Sequence, residues 1–523
     1  MLPNANKEFA LKKSFLTYLI GVYVLLVGIG LPLVVRDKYF DILVVKYYYY
    51  CFCTITMLLL FLMYLMINRT ININSTLKGI NIKYLVSRLT IVDVLILLYW
   101  IIAFISTLTS DYVYEAFWGN EGRYTGLFLI TLYVLSYFCV SRLLIFKRWY
   151  LDSMIATGIV VCIFGITDYF NLDIFNFKNT MLIEQRAIFT STIGNINTYT
   201  AYLGIVIGIV VVLFAAEKDH LRRCFYYVGM VIGFFAIIMG VSDNAYLSLA
   251  ALFGLLPLYL FNNSLGVKRY LIIIATFFTV IQCIDWINSL FANKVIGIDS
   301  AFNYVIGFKW LLYLVILLWS GVVLFNITEK NRKNKLENYG NKYIYVWIAF
   351  ISLVILGILF VLYDCNIVGN IKRYSFASNY FLLNDNWGTH RGYIWRKAME
   401  CFLALPTWNK IVGYGPETFG ILLLSKTMDN PYNEVFDSAH NEYIHSLITV
   451  GILGMAFYVL ALIVFIKRCF NEKNNNPYIL AIAFGVICYS VQAFVNLNLP
   501  IVTPILWLLL SMGSAKSLYK MKV

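Results

Sequence analysis

The sequence predicts an all-α polytopic membrane protein with about fourteen (roughly 12–14) transmembrane helices and one large extracytoplasmic loop containing amphipathic helices. Two observations carry this expectation. Of 523 residues, 61% are hydrophobic and only 13% are charged, with a mean hydropathy of +0.76, a composition that no water-soluble chain of this length presents. The apolar residues also gather into runs of about 17–25, the length of a helix that crosses a bilayer.

The runs lie near 15–35, 47–67, 90–108, 125–141, 150–168, 199–216 and 225–241, and continue near 245–261, 270–288, 304–326, 343–363, 444–466, 478–496 and 503–515. The first follows Lys12 and Lys13 as a signal peptide would. It has no small-residue cleavage pattern and is long enough to span, so it reads as the first helix. We treat residues 1–523 as a single integral membrane domain, with the loop at 364–443 inside it.

Orientation follows from the placement of Lys and Arg, because positive connections stay in the cytoplasm. The connections on one side, counting the N- and C-terminal segments, hold 26 Lys and Arg; those on the other hold 14, of which seven sit in the long loop, where the rule does not apply. Both termini are therefore expected in the cytoplasm and the long loop outside, in a multi-pass protein of the cytoplasmic membrane. The net charge of +14 is spread between apolar runs rather than pooled in one stripe, which argues against nucleic acid as a partner. The ten cysteines lie mostly in or beside apolar runs, as Cys51, Cys53, Cys139, Cys162, Cys283 and Cys488 do, and read as packing residues. Cys365 and Cys401 could meet outside the membrane.

The loop at 364–443 is about eighty residues long, and a loop of that length in a compact protein is usually functional. Within it, Trp395, Ala398, Met399 and Phe402 recur at helical spacing and predict an amphipathic helix ended by Pro406. Such a helix would lie along the membrane surface, with Arg391, Arg396 and Lys397 near phosphates; a basic interfacial anchor is the plainer reading. Gly413-Tyr414-Gly415-Pro416 predicts a turn through which backbone approaches a ligand or another segment.

Asp437 to His445 then runs straight into an apolar stretch. Asp437 and Ser438 are helix N-cap candidates, which would place His440 in the first turn, where the positive end of the helix dipole favours neutral imidazole. Neutral imidazole is what a general base requires; a cap or headgroup contact is the structural alternative. His440 and His445 lie five residues apart, about 140° around a helix, so no metal site is predicted. Asp93, Asp243, Asp285 and Lys309 all sit near helix ends, and no chain of carboxylates crosses the membrane, which weakens an ion-coupled transporter.

Taken together, Arg391 with Trp395, Gly413-x-Gly415 with Phe419, and His440-Asn441 with Tyr443 and Gly451-Ile452-x-Gly454 resemble, in order and approximate spacing, the bacterial O-antigen ligase and O-antigen polymerase superfamily. Upstream, Phe117 to Gly126, with Gly119, Arg123 and Gly126, is similar to an outward loop of that family, and Thr192 to Leu203, with Asn195 and Asn197, to its asparagine-containing helix start. Where members carry a Ser-Arg-Gly-Ala-like element, this chain has Ser242-Asp243-Asn244-Ala245, without the arginine.

The resemblance implies transfer of a glycan from an undecaprenyl-pyrophosphate carrier to an acceptor hydroxyl at the outer face of a bacterial membrane, by an inverting and metal-independent glycosyltransferase acting in surface polysaccharide polymerisation or ligation, with no cofactor. It implies His440 and Arg391 as catalytic residues, His440 as base or orienter and Arg391 as pyrophosphate clamp. Arg123, Arg186 and Arg396 are then the candidates to replace the missing cation, and Asn441, His445, Gly413, Gly415 and Asn195 are expected to contact substrate. A guanidinium suits the clamp because its planar fork matches phosphate oxygens and keeps its charge. The competing class is a flippase for lipid-linked oligosaccharide, which the long Arg/His loop disfavours. A peptidoglycan polymerase with Asp437 as the catalytic carboxylate is a third reading.

Overall fold

The computed structural model describes residues 15–71, 89–120, 122–331, 340–472, 476–519 and 521. The lysines of the N-terminal segment, most of the basic connections at 72–88 and 332–339, and Glu121 of the expected outward loop lie outside them.

In chain order the helices are α1 (Phe15–Leu33), α2 (Ile42–Ile67), α3 (Ile91–Leu108), the short α4 (Val113–Trp118), α5 (Leu127–Leu143), α6 (Trp149–Tyr169), α7 (Ile196–Ala216), α8 (His220–Met239), α9 (Ala245–Leu260), α10 (Ser264–Leu290), α11 (Leu311–Glu329) and α12 (Lys342–Val368). The loop contributes α13 (Trp387–Ala404), α14 (Thr407–Val412) and α15 (Phe419–Thr427). They are followed by α16 (Glu442–Thr449), α17 (Gly451–Asn471), α18 (Pro477–Val495) and α19 (Thr503–Ser514). Among the described residues, eleven helices are long and apolar enough to cross a membrane, and α5, α9 and α19 are shorter apolar helices. Each of the fourteen expected runs is thus helical, and three fall short of a full span. A two-residue hairpin, Phe189–Thr190 against Gly194–Asn195, interrupts the all-α pattern.

The bundle is built around α7, nearly all of which is buried, and α18. The two pack closely because Gly208 of α7 faces backbone: a Cβ there would sit 2.8 Å from the Phe484 carbonyl oxygen, and small residues are what let helices approach in lipid. At the other extreme, α12 has no buried side chain among its residues 342–363. A helix apolar all round and packed on so little protein belongs against hydrocarbon.

Charged groups inside the bundle are satisfied locally. Asp93, fully buried, closes a capping box with Thr90 at the start of α3 and accepts from Tyr137 and Arg142. Lys46 is also fully buried, and its ammonium donates to the carbonyls of Leu31, Pro32 and Val34, the orphan acceptors at the end of α1.

Residues 387–448 form a folded unit with its own core. Tyr393, Ile394, Ala398, Cys401 and Phe402 of α13 pack with Phe419, Leu423, Phe436, Ala439 and Ile448. The amphipathic helix therefore exists, but its apolar face is shifted from the expected one and lies against protein. Met399 is exposed, and Trp395 is only partly buried. Periodicity identifies a stripe without saying whether protein or lipid covers it. The expected 444–466 span is also interrupted. The chain breaks at Val450 and Gly451, where Gly451 takes φ +70° and the Ile411 carbonyl presses on the site a Cβ would fill, at 2.3 Å. Docking of the loop onto the helix start causes that break. All ten cysteines are free, Cys365 and Cys401 among them.

Candidate functional site

The end of the bundle on which the loop docks collects the C-termini of α3, α8 and α18 with the N-termini of α5, α7, α9, α16 and α19. Gly413 and Gly415 make the docking possible. They hold φ +97° and +127°, and a Cβ would lie 2.2 Å from the Thr449 carbonyl oxygen at Gly413 and 2.6 Å from Ser110 Oγ at Gly415. The intervening backbone donates from Tyr414 N to Ile448 O (2.9 Å) and from Gly415 N to Thr449 O (3.0 Å), while Ser110 Oγ donates to Tyr414 O (2.7 Å). Backbone approach at this turn is therefore to the end of α16 and the segment just after α3, not to an open groove.

Arg391 stands where α13 becomes regular, just after Gly388, Thr389 and His390, all at positive φ. One turn on, Trp395 Nε1 donates to the Ala439 carbonyl at 2.8 Å. This bond fixes the residue before His440 to the helix that carries Arg391. His440 itself is strained, at φ +44°, in a region that non-glycine residues rarely occupy. The helix starts after it: Asn441 is the N-cap, and its carboxamide oxygen accepts from Tyr443 N and Ile444 N at 3.0 Å each. The expected cap at Asp437 or Ser438 is thus displaced, and His440 precedes the helix instead of occupying its first turn. Asn441 is buried and uses its side chain for the cap.

Arg391 and Arg123 lie near enough to His440 for their charges to act on its imidazole. Burial, then the charges of Arg391 and Arg123, push the His440 imidazole down to about 4, with Asp437 opposing. The imidazole is therefore neutral at physiological pH, through burial and two guanidiniums rather than through a helix dipole. Burial also pushes Arg391 down from the ordinary arginine value, and the Asp243 carboxylate opposes it. Arg391 donates from Nη1 to Gly388 O at 3.0 Å, and its Nε is buried without a hydrogen-bond partner among the described residues. Asp243, standing in the element where the resemblance leads one to expect arginine, accepts from Ala301 N at 3.0 Å and from the Tyr380 hydroxyl at 3.3 Å.

The two other loop-facing arginines are engaged. Arg123 forks onto Asp437, Nη2 to Oδ1 at 2.6 Å and Nε to Oδ2 at 3.2 Å, and lies 3.8 Å from Glu417. Arg396 is half-exposed and forks onto Asp385, with Glu400 as a further partner. Arg186 donates to the carbonyls of Met181 and Asn179 in its own segment. Asn195 caps α7 through Asn197 N, and Asn197 Oδ1 accepts from Ser242 Oγ at 2.7 Å, which ties that helix start to the Asp243 turn. His445 lies one turn inside α16, stacked on Phe419, with Nε2 3.9 Å from Glu417. Among the described residues, no group of three His, Cys, Asp or Glu side chains is arranged to hold a metal ion.

Sequence reasoning missed Glu417 and Glu442. Glu417 is 3% exposed at φ +61°, accepts from Thr125 Oγ1, and its carbonyl accepts from Asn120 Nδ2 at 2.8 Å. Burial raises its pKa and Arg123 opposes. Glu442, 2% exposed, accepts from Tyr458, Tyr489 and Asn498. A carboxylate at the mouth of an apolar run was the available signal for Glu442.

Residues 307–459 match the family described as O-Antigen ligase. The match spans α11, α12, the loop and the start of α17, so it includes Arg391, Gly413, Gly415 and His440 and leaves Arg123 and Asn195 outside. No curated protein matches the chain. The apolar helices fit a multi-pass membrane protein, and the matched segment is similar to the O-antigen ligase family.

Proposed function

We propose, for a chain whose residues 307–459 fall in the O-antigen ligase family, that it transfers a glycan from an undecaprenyl-pyrophosphate carrier to an acceptor hydroxyl at the outer face of the bacterial cytoplasmic membrane, in surface polysaccharide polymerisation. Both termini are then cytoplasmic, the 364–443 loop is outside, and the three shorter helices complete about fourteen crossings.

One observation carries the reading: a neutral imidazole at His440 shares its surroundings with a guanidinium, Arg391, that has no carboxylate bonded to it among the described residues. The reaction needs those two functions. His440 accepts or orients the proton of the attacking hydroxyl, and the Trp395–Ala439 hydrogen bond fixes the backbone just before it. Arg391 offers its free donors to the departing diphosphate, whose charge grows as the glycosidic bond breaks. Arg123, forked onto Asp437 and beside Glu417, serves as the brace that holds the 119–126 segment to the loop. Attack on the face opposite the diphosphate gives inversion in one displacement.

The test is reconstitution of the purified protein with a labelled carrier-linked glycan. An enzyme changes the mass of the labelled product. Movement of the label between leaflets with unchanged mass would instead identify a flippase and end the proposal.

A further inference from the structure

Where the loop meets α16, the protein holds a partly open cavity of about 40 Å³. Its wall includes Thr125, Tyr133, Glu417, Glu442, His445 and Asn498. Two of these are buried carboxyl groups from different segments. Three more, Tyr133 Oη, His445 Nδ1 and Asn498 Oδ1, are buried polar atoms with no hydrogen-bond partner among the described residues. A cavity holds an ordered water when it exceeds about 10–15 Å³ and offers two to four polar partners, and this one meets both conditions.

We propose that this cavity holds ordered water that joins Glu417 and Glu442 into a single proton-holding pair, with the resting proton on Glu442. The two carboxyls are unequal for visible reasons. Glu417 has the Arg123 guanidinium 3.8 Å away and accepts from Thr125, which favours its ionised form. Glu442 has no cation paired with it among the described residues. It faces Tyr458 of α17 (2.8 Å), Tyr489 of α18 (3.0 Å) and Asn498 (3.3 Å), and is flanked by Tyr99 of α3, Tyr133 of α5, and Tyr443 and His445 of its own helix. These groups are neutral, so an anion there would be buried without compensation. Burial accordingly raises both acids. A protonated Glu442 also supplies an O–H to a wall that offers the unpartnered acceptor Asn498 Oδ1.

The use of the pair rests on the glycosyl-transfer reading above. In each turnover the acceptor O–H bond breaks and its electron pair forms the new C–O bond, while the electron pair of the old C–O bond leaves with the diphosphate. The released proton cannot stay on His440, which burial and two guanidiniums make a weak proton holder. Glu417, the ionised member, takes it up and returns it to the outer solvent.

Infrared difference spectroscopy of the purified full-length protein at neutral pH reads the resting proton without any substrate. The wild type should show the carbonyl stretch of a protonated, buried carboxyl; Glu417→Gln should keep it, Glu442→Gln should lose it, and Tyr458→Phe should shift it. A wild type without the band, or a band that survives Glu442→Gln, overturns the pair; should Glu442→Gln fail to fold, an unshifted band in Tyr458→Phe does the same. In reconstituted transfer assays, Glu417→Gln should lower kcat roughly a hundredfold with little change in KM, and a wild-type kcat there overturns the uptake role. A wild type that shows the band but transfers no glycan would sink the transfer reading and leave the pair standing.

Discussion

Replacing Arg391 by lysine separates a fork from a point charge. The guanidinium donates once to Gly388 O and leaves Nε without a partner, so it has donors to spare for two oxygens of a diphosphate. An ammonium keeps the charge and reaches one. Charge-assisted hydrogen bonds contribute about 1.5–3 kcal/mol each, so losing one from the transition state lowers the rate roughly 10- to 150-fold. The assay is single-turnover transfer from a carrier-linked glycan in nanodiscs, with the thermal transition of the same preparation as the folding control. Arg391→Lys should melt close to the wild type and fall within that range of rates. A rate within about twofold of wild type, at unchanged stability, would remove Arg391 from the clamp role and with it the reasoning that unpartnered donors mark the phosphate site.

His440→Ala should abolish transfer while leaving carrier-lipid binding in place, measured by native mass spectrometry; loss of folding instead would make the residue structural. A base must be neutral, and His440 is lowered from the ordinary imidazole value of 6.5 to about 4, so kcat/KM should hold through pH 6.5 and fall only toward pH 4; because the folded value lies below the unfolded one, stability should also decline as pH drops through that window. Gly413→Ala should destabilise the protein by about 2 kcal/mol, read as a lower melting temperature, since φ is +97° and the added methyl meets the Thr449 carbonyl oxygen at 2.2 Å. Arg123→Gln and Asp437→Asn should be non-additive in stability by only about 1 kcal/mol, because Asp437 is 64% exposed and solvent screens the pair; strict additivity would mean that the fork does not form in solution.

The spans were legible because an apolar run of bilayer length has one stable answer in lipid. The break at Val450 was not, since the apolar run continues through it and the cause is the Ile411 carbonyl on a distant segment. The cap shows the same division: Asp437, Ser438 and Asn441 are all good cap residues by type, and Asn441 takes the position because the chain is forced into φ +44° at His440 just before it. His440 and Arg391 could be picked out by chemistry and order. Glu417 could not, since a glutamate after Gly-Tyr-Gly-Pro looks like a solvated turn, and its burial comes from Thr125 and Asn120, close to 300 positions earlier.

Residue type alone leaves Arg123, Arg391 and Arg396 equivalent as phosphate ligands; their partners divide them. Arg396 closes on Asp385 and Glu400 at the surface, and Arg123 closes on Asp437 with Glu417 beside it. A diphosphate would have to displace a carboxylate from either one before binding, a modest cost for screened pairs that Arg391 does not carry. Among the described residues, the carboxylate acting on Arg391 is Asp243, at longer range and already accepting from Ala301 N and Tyr380. That arrangement offsets the burial of a cation in the resting protein without consuming its donors. Asp243, in the element where the resemblance leads one to expect an arginine, therefore places a counter-charge near Arg391 and leaves its fork open.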